Sequence, residues 1–320
     1  MATTSSAGSS AVPSESHVVV TKPSPPPRHV TPGWAHFIAG GVGGMLGAII
    51  TSPLEVVKTR LQAGSNKASL QVKSPFGLGT AYALAQLGRE EGIRGFYRGL
   101  GPHLVGVIPA RSLSFFTYGN TKSFMCDYFD MPKDSALSSV IAGIAAGFVV
   151  VTVTQPIWLI KTRMQLQSRQ HELLYKNSLH AVQKIYKEEG LRVFYRGMTA
   201  SYVGISESTF QFVLYERMKS WVQEYTGREL DVVEYLSVAS FAKLIAAVAT
   251  YPHEVIRTRL REAGSSKYKG VFSGMALIYR MEGVRGLYGG MSAHLLRVVP
   301  NAAIMFLTYE QILKLLSGPR

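Results

Sequence analysis

Three copies of one eight-residue pattern constrain this 320-residue chain more than any other feature. They are Pro53-Leu54-Glu55-Val56-Val57-Lys58-Thr59-Arg60, Pro156-Ile157-Trp158-Leu159-Ile160-Lys161-Thr162-Arg163 and Pro252-His253-Glu254-Val255-Ile256-Arg257-Thr258-Arg259. The copies recur about every hundred residues and nearly tile the chain, which predicts one threefold pseudo-symmetric unit. On a helix, the acidic residue of the first and third copies shares a face with the basic residue three positions on. Pro53, Pro156 and Pro252 are expected to kink the helices that carry them.

Each copy closes an apolar run. Trp34 to Leu54 and Ser135 to Ile160 contain no Lys, Arg, Asp or Glu, and each is long enough to cross a bilayer core of about 30 Å. Within the first, Gly40 with Gly44 and Gly43 with Gly47 are small-residue pairs suited to close helix packing. No strand precedes them and GxGxxG spacing is absent, so a phosphate loop is not indicated. After Gln62 comes a polar loop, then an amphipathic stretch over 76–90. It closes on a second repeated motif, Glu91-Gly92-Ile93-Arg94-Gly95-Phe96-Tyr97-Arg98-Gly99, found again from Glu189 to Gly197 and from Glu282 to Gly290. A glycine after a helix supplies a left-handed cap, and an aromatic-basic pair suits a membrane interface. Another apolar segment follows each copy.

The pattern predicts an all-α membrane protein of six transmembrane helices, approximately 33–62, 100–123, 136–165, 198–222, 233–261 and 291–316, with a short surface helix in each repeat. An even number of crossings leaves both termini on one side. The expected layout is a disordered Ser/Thr/Pro-rich leader over 1–32, then one domain over 33–320 with repeats at about 33–130, 131–228 and 229–320. The leader carries no secretory apolar region and no Arg-rich amphipathic helix, so no cleaved targeting peptide is expected. A composition of 47% apolar and 17% charged residues agrees with a membrane protein.

The net charge of +14 favours anionic partners. A soluble nucleic-acid binder is not expected, because the basic residues alternate with apolar spans. Cys126 is the single cysteine, which excludes an internal disulfide and a thiolate metal cluster. The eight histidines lack ligand spacing; His253 is read as interfacial. No catalytic residue, metal or cofactor is therefore expected. Four ionisable residues fall near mid-span: Arg111, Glu207, Lys243 and Arg297. A charge at that depth costs about 2.5–3.5 kcal/mol on insertion scales, so it faces a wet cavity or a partner. Three cations against one anion leave room for a bound anion. Three further clusters recur toward the far ends of the even-numbered spans, beginning at Tyr118, Tyr215 and Tyr309.

These two linked motifs, each present three times, resemble the mitochondrial carrier family over residues 33–316. The resemblance implies six tilted helices around a central cavity, matrix-side surface helices, termini toward the intermembrane space, and transport by alternating access in the inner membrane. It implies a matrix gate joining Glu55 to Lys161 and Glu254 to Lys58, with Trp158 standing where a carboxylate would face Arg257. Gln62 and Gln165 would brace these bridges, and Arg261 takes the third such position. On the cytoplasmic side Lys122 would meet Glu216, and Lys219 would meet Glu310. Gly119 and Leu313 leave that third bridge empty, and Gly289 stands where the other copies have Arg98 and Arg196.

The family's substrate contacts map onto Gly106 and Val107, Gly204 and Ile205, and Arg297. Arg111 and Arg297 would receive phosphate oxygens, Lys243 would add a mobile positive charge, and the base would settle against Gly204 and Ile205. Glu207 is placed in the same site without an assigned role. Pro156-Ile157-Trp158 is similar to the branch containing pyrimidine nucleotide, folate or flavin, and NAD carriers. The stretches from Tyr251 to Glu262 and Gly204-Ile205-Ser206-Glu207 are most similar to its pyrimidine nucleotide carriers. The implied function is exchange of pyrimidine (deoxy)nucleotides; an NAD, flavin or folate carrier and a carrier-like interaction protein without transport are the alternatives. The implied partners are the nucleotide and inner-membrane phospholipids, cardiolipin among them, with no obligate protein partner.

Overall fold

A computed structural model describes residues 33–63, 78–132, 135–167, 175–264 and 267–316. The leader over 1–32 lies outside the described residues. In the first repeat, α1 (Gly33–Gln62) is followed by the surface helix α2 (Leu78–Glu91), the short α3 (Ile93–Phe96) and α4 (Leu100–Phe129). The second repeat comprises α5 (Ala136–Leu166), α6 (Ser178–Glu189), a 3-10 turn over Leu191–Tyr195, α7 (Met198–Val203) and α8 (Ile205–Thr226). In the third, α9 (Val232–Arg261), α10 (Val271–Leu287) and α11 (Met291–Leu316) repeat the order. Among the described residues there is no strand.

Pro53, Pro156 and Pro252 lie inside α1, α5 and α9, and each helix continues past its proline. Four segments, Ala39–Gln62, Ala136–Leu166, Val233–Arg261 and Met291–Leu315, are long and apolar enough to cross a membrane; α4 and the α7–α8 pair fall short of that apolarity.

The most extensive packing joins successive repeats: α4 against α5, α8 against α9, and α11 back against α1. Lesser contacts of α1 with α4, α5 with α8 and α9 with α11 complete a ring. Small residues make the closure possible. A Cβ on Gly43 would lie 3.0 Å from the Met305 carbonyl oxygen, and one on Gly47 2.7 Å from Asn301 Oδ1, so this glycine pair seats α11. Gly40 has nothing within 4 Å and takes no part in the seam.

Burial is inverted relative to a water-soluble protein. Glu55, Lys58, Arg60, Lys161, Arg163, Glu254 and Arg259 are buried, while Phe115, Phe116, Val153, Phe241, Ile245, Val299 and Leu307 are exposed. Charged residues are rarely buried unless paired, and an apolar exterior around a charged interior fits a bilayer as solvent. Each surface helix covers its own apolar patch: Leu87 on Val56 and Val57, Ile185 with Leu159 and Ile160, and Ile278 with Val255 and Ile256.

Where one repeat meets the next, the second motif supplies glycines with left-handed backbone. Gly99, Gly197 and Gly290 have φ of 74°, 79° and 77°, a region costly for other residues. A Cβ on Gly99 would come within 2.9 Å of the Lys161 carbonyl oxygen on α5, and one on Gly290 within 2.8 Å of that of Lys58 on α1. Gly289 departs from the Arg98 and Arg196 pattern for a similar reason: a Cβ there would stand 2.8 Å from the Leu61 carbonyl oxygen.

Candidate functional site: a ring of ion pairs across the helices

At the proline ends of α1, α5 and α9 the motif carboxylates and ammoniums meet. Lys161 Nζ donates to Glu55 Oε1 at 2.5 Å, and Lys58 Nζ lies 2.5 Å from Glu254 Oε2. The first joins α1 to α5 and the second α1 to α9. Both are buried, so removing one member would strand its partner at a cost of about 3–5 kcal/mol. The Gln165 and Gln62 side chains hydrogen-bond beside these pairs and not to them. Thr59 Oγ1 donates to Gln165 Oε1 at 2.9 Å and Thr258 Oγ1 to Gln62 Oε1 at 2.8 Å, while Gln62 Nε2 donates to the Tyr251 hydroxyl. The glutamines therefore brace the helices beside the bridges. Arg261, in the third such position, donates to Gln155 Oε1 and Ser201 Oγ.

The third bridge is missing, as the tryptophan in its place requires. Arg257 turns to Glu254 on its own helix, Nη2 to Oε1 3.2 Å. Trp158 is held by its Nε1, which donates to Thr154 Oγ1 at 2.8 Å, with Lys161 Nζ 4.9 Å from the ring centroid. Two histidines that sequence spacing did not single out join the cluster from the even-numbered spans. His103 Nδ1 is 3.1 Å from Glu55 Oε2, and His294 Nδ1 is 2.9 Å from Lys58 Nζ. The signal was present: each sits four residues after its repeat's left-handed glycine, where the second repeat has Ser201.

At the opposite end the expected pairs are not formed in this conformation. Lys122 and Glu216 form no ion pair among the described residues, nor do Lys219 and Glu310. Lys122 Nζ lies 5.5 Å over the Tyr118 ring, Lys219 Nζ 5.7 Å over that of Tyr235, and Glu310 takes Lys314 one turn on at 2.8 Å. With the helices joined at the proline end, these side chains find partners on their own or an adjacent helix instead.

Near mid-span, Lys243 Nζ donates to Glu207 Oε1 at 2.6 Å. Lys243 is thus neutralised, and the expectation of a loose third cation is corrected. Arg297 keeps a long contact to Glu55, 3.9 Å, and its buried Nε has no hydrogen-bond partner. Arg111 is exposed, on the helical face shared with His103 and Val107. Donor atoms of Glu207, His253 and Glu254 gather within 4.8 Å of one another. Both carboxylates already hold cations, so the set reads as an ion-pair cluster and not as a metal seat. His253 itself is buried, not interfacial, its Nδ1 bonded to the Thr250 carbonyl.

The uncharged positions expected to touch substrate are spent on packing. A Cβ on Gly106 would meet Ile157 Cγ2 at 3.0 Å, and one on Gly204 would meet His253 Nε2 at 2.8 Å. Val107 packs on Gly44, and Ile205 fits against Gly147, whose added Cβ would lie 3.0 Å from it.

The family model described as "Mitochondrial carrier protein" matches the chain three times, over residues 30–129, 132–226 and 228–320. This chain belongs to the mitochondrial carrier family. It is similar to "Mitochondrial carrier protein rim2" of Schizosaccharomyces pombe, 42% identical over 91% of this chain and 90% of that protein. It is also similar to "Solute carrier family 25 member 36-A" of Danio rerio, 42% identical over 88% of the chain and 97% of that protein. "Mitochondrial pyrimidine nucleotide transporter RIM2" of Saccharomyces cerevisiae is 39% identical over 89% and 86%. The carrier is accordingly a multi-pass protein of the inner mitochondrial membrane.

The two motifs lock the carrier's repeats together in a way sequence reasoning missed. Arg60 forks onto Glu91 at 2.7 and 3.0 Å, and Arg163 onto Glu189 and Arg259 onto Glu282 do the same. Each arginine also donates its Nε to the next odd-numbered span: Arg60 to the Gln165 carbonyl, Arg163 to that of Arg261, and Arg259 to that of Gln62. The hydrogen bond from Arg163 holds the Glu189 carboxyl, outside the spans, below the usual carboxylate range against the opposing effect of burial. The clue was the presence of both arginine and glutamate in all three repeats.

Proposed function

We propose that this carrier exchanges pyrimidine nucleotides across the inner mitochondrial membrane through six spans, with both termini toward the intermembrane space. The observation that carries the reading is Arg297, whose buried Nε is unpartnered directly above the joined ends of the helices, in a chain 39% identical to a named pyrimidine nucleotide transporter. Guanidinium groups fit phosphate oxygens in bidentate geometry, and a second one, Arg111, is exposed on α4, which like α11 packs against α1. Bound phosphates would complete the charge left over at Arg111 and Arg297.

The ion pairs Glu55–Lys161 and Lys58–Glu254 act as the closed matrix gate in this conformation, which opens toward the intermembrane space. An arriving nucleotide draws Arg297 away from Glu55 and so weakens the gate, while Lys122, Glu216, Lys219 and Glu310 come together at the other end. Occupancy thereby shifts the balance of two conformations. Liposomes loaded with UTP test this. Labelled UTP should enter only against internal nucleotide, and Arg297→Glu should abolish uptake while the protein still inserts. Stabilisation against heat by NAD or folate but not by UTP would overturn the substrate assignment.

A further inference from the structure

We propose that Trp158 is the platform on which the carrier receives the heterocyclic base, with the phosphates lying toward Arg297. The inference rests on the nucleotide reading and assigns the half of the ligand that the arginines leave unaccounted for.

Trp158 occupies the repeat position of Glu55 and Glu254, whose carboxylates point into the ion-pair ring. An indole cannot bridge Arg257, so the position has given up one gate contact and presents a large flat apolar face in a polar setting. The ring is oriented before any ligand arrives. Its Nε1 is tied to Thr154, His103 stands edge-on with ring centroids 5.7 Å apart, and Lys161 lies over it. Gly106 on α4 lies alongside the ring, where an added Cβ would be in ordinary contact with Cζ2 and Cη2 at 3.6 Å. Yet the side chain is only half-buried, so it retains surface for a ligand.

A run of short contacts keeps the indole and the Arg297 guanidinium no farther apart than one nucleotide can span. From the indole, contacts of 4.9 Å to Lys161, 2.5 Å from Lys161 to Glu55 and 3.9 Å from Glu55 to Arg297 span the site. The alternative base seat, Gly204 with Ile205, offers only a small aliphatic edge packed beside His253 and Gly147, where Trp158 offers an aromatic face. Stacking on an aromatic ring is favourable for any base and is paid for in advance when the ring is fixed.

A plug that merely fills the gate would affect every ligand alike, whereas a platform discriminates by the base. The full-length carrier in detergent is titrated with UTP and with inorganic tripolyphosphate, which has the charge and no base, followed by thermal stabilisation. Trp158→Ala should weaken UTP binding roughly tenfold and leave tripolyphosphate unchanged. Trp158→Phe should keep most UTP affinity, and covers the case in which the alanine variant fails to fold. Equal losses for both ligands, or UTP binding unchanged in either variant, would overturn the platform. Wild-type carrier that neither binds nor exchanges UTP would overturn the nucleotide reading itself, and the platform with it.

Discussion

At the proline end, Glu55 and Lys161, Lys58 and Glu254, and three arginine Nε-to-carbonyl hydrogen bonds join α1, α5 and α9 across repeat boundaries. At the other end, equally regular charges stay local: Lys122 on Tyr118, Glu310 on Lys314. The same kind of residue is thus spent on cross-repeat closure at one end and on neighbours at the other. The difference lies in burial. Lys58 and Lys161 are buried while the charges at the opposite end are only half-buried, so the former lose more when a partner is removed.

The contrast can be broken most severely by Lys161→Ala, which strands the Glu55 carboxylate. Loss of about 3 kcal/mol or more is expected in thermal unfolding, with partial recovery in the charge-swapped pair Glu55→Lys with Lys161→Glu. Trp158→Glu sharpens the contrast instead, by offering Arg257 the missing cross-repeat acid. It should raise the melting temperature of this conformation and slow UTP exchange, the added wet pair being worth about 0–1 kcal/mol. Lys219→Ala, at the open end, should change thermal stability by less than about 0.5 kcal/mol. If the proposed second gate operates, the same variant lowers the exchange rate.

The smallest effect concerns pH. Because Glu189 has its carboxyl held low in the folded protein, its contribution is present above the ordinary carboxyl value and fades as pH falls through the lowered one. Glu189→Gln should therefore be less stable than wild type at neutral pH, with the gap closing in acid. A gap that widens in acid would contradict the Arg163 fork.

The helices were legible because apolar runs mark the spans, and the repeated motifs marked a charged cluster at one end of the odd-numbered spans. Which charge meets which, Glu55 with Lys161 and Glu254 with Lys58, followed from the resemblance to the carrier family. What the sequence hid depends on side-chain direction. Gly204 and Ile205 have the composition of a ligand seat, but nothing in their order tells that His253 and Gly147 already press against them. Lys243 and Glu207 lie on different helices with no shared motif, so their pairing emerges only from the packing of α8 on α9. His103 and His294 have no ligand spacing within a helix; their regularity is between repeats.

The arginine Nε contacts run in one rotational sense, first repeat to second, second to third, third to first. No pair of repeats can satisfy that circuit by itself. A chain truncated after two would leave Arg163 without its receiving carbonyl and the Gln62 carbonyl without its donor. Completion must wait for the last third of the polypeptide, and assembly at this end is expected to be all-or-none, as in a clasp that holds only when its final link is fastened.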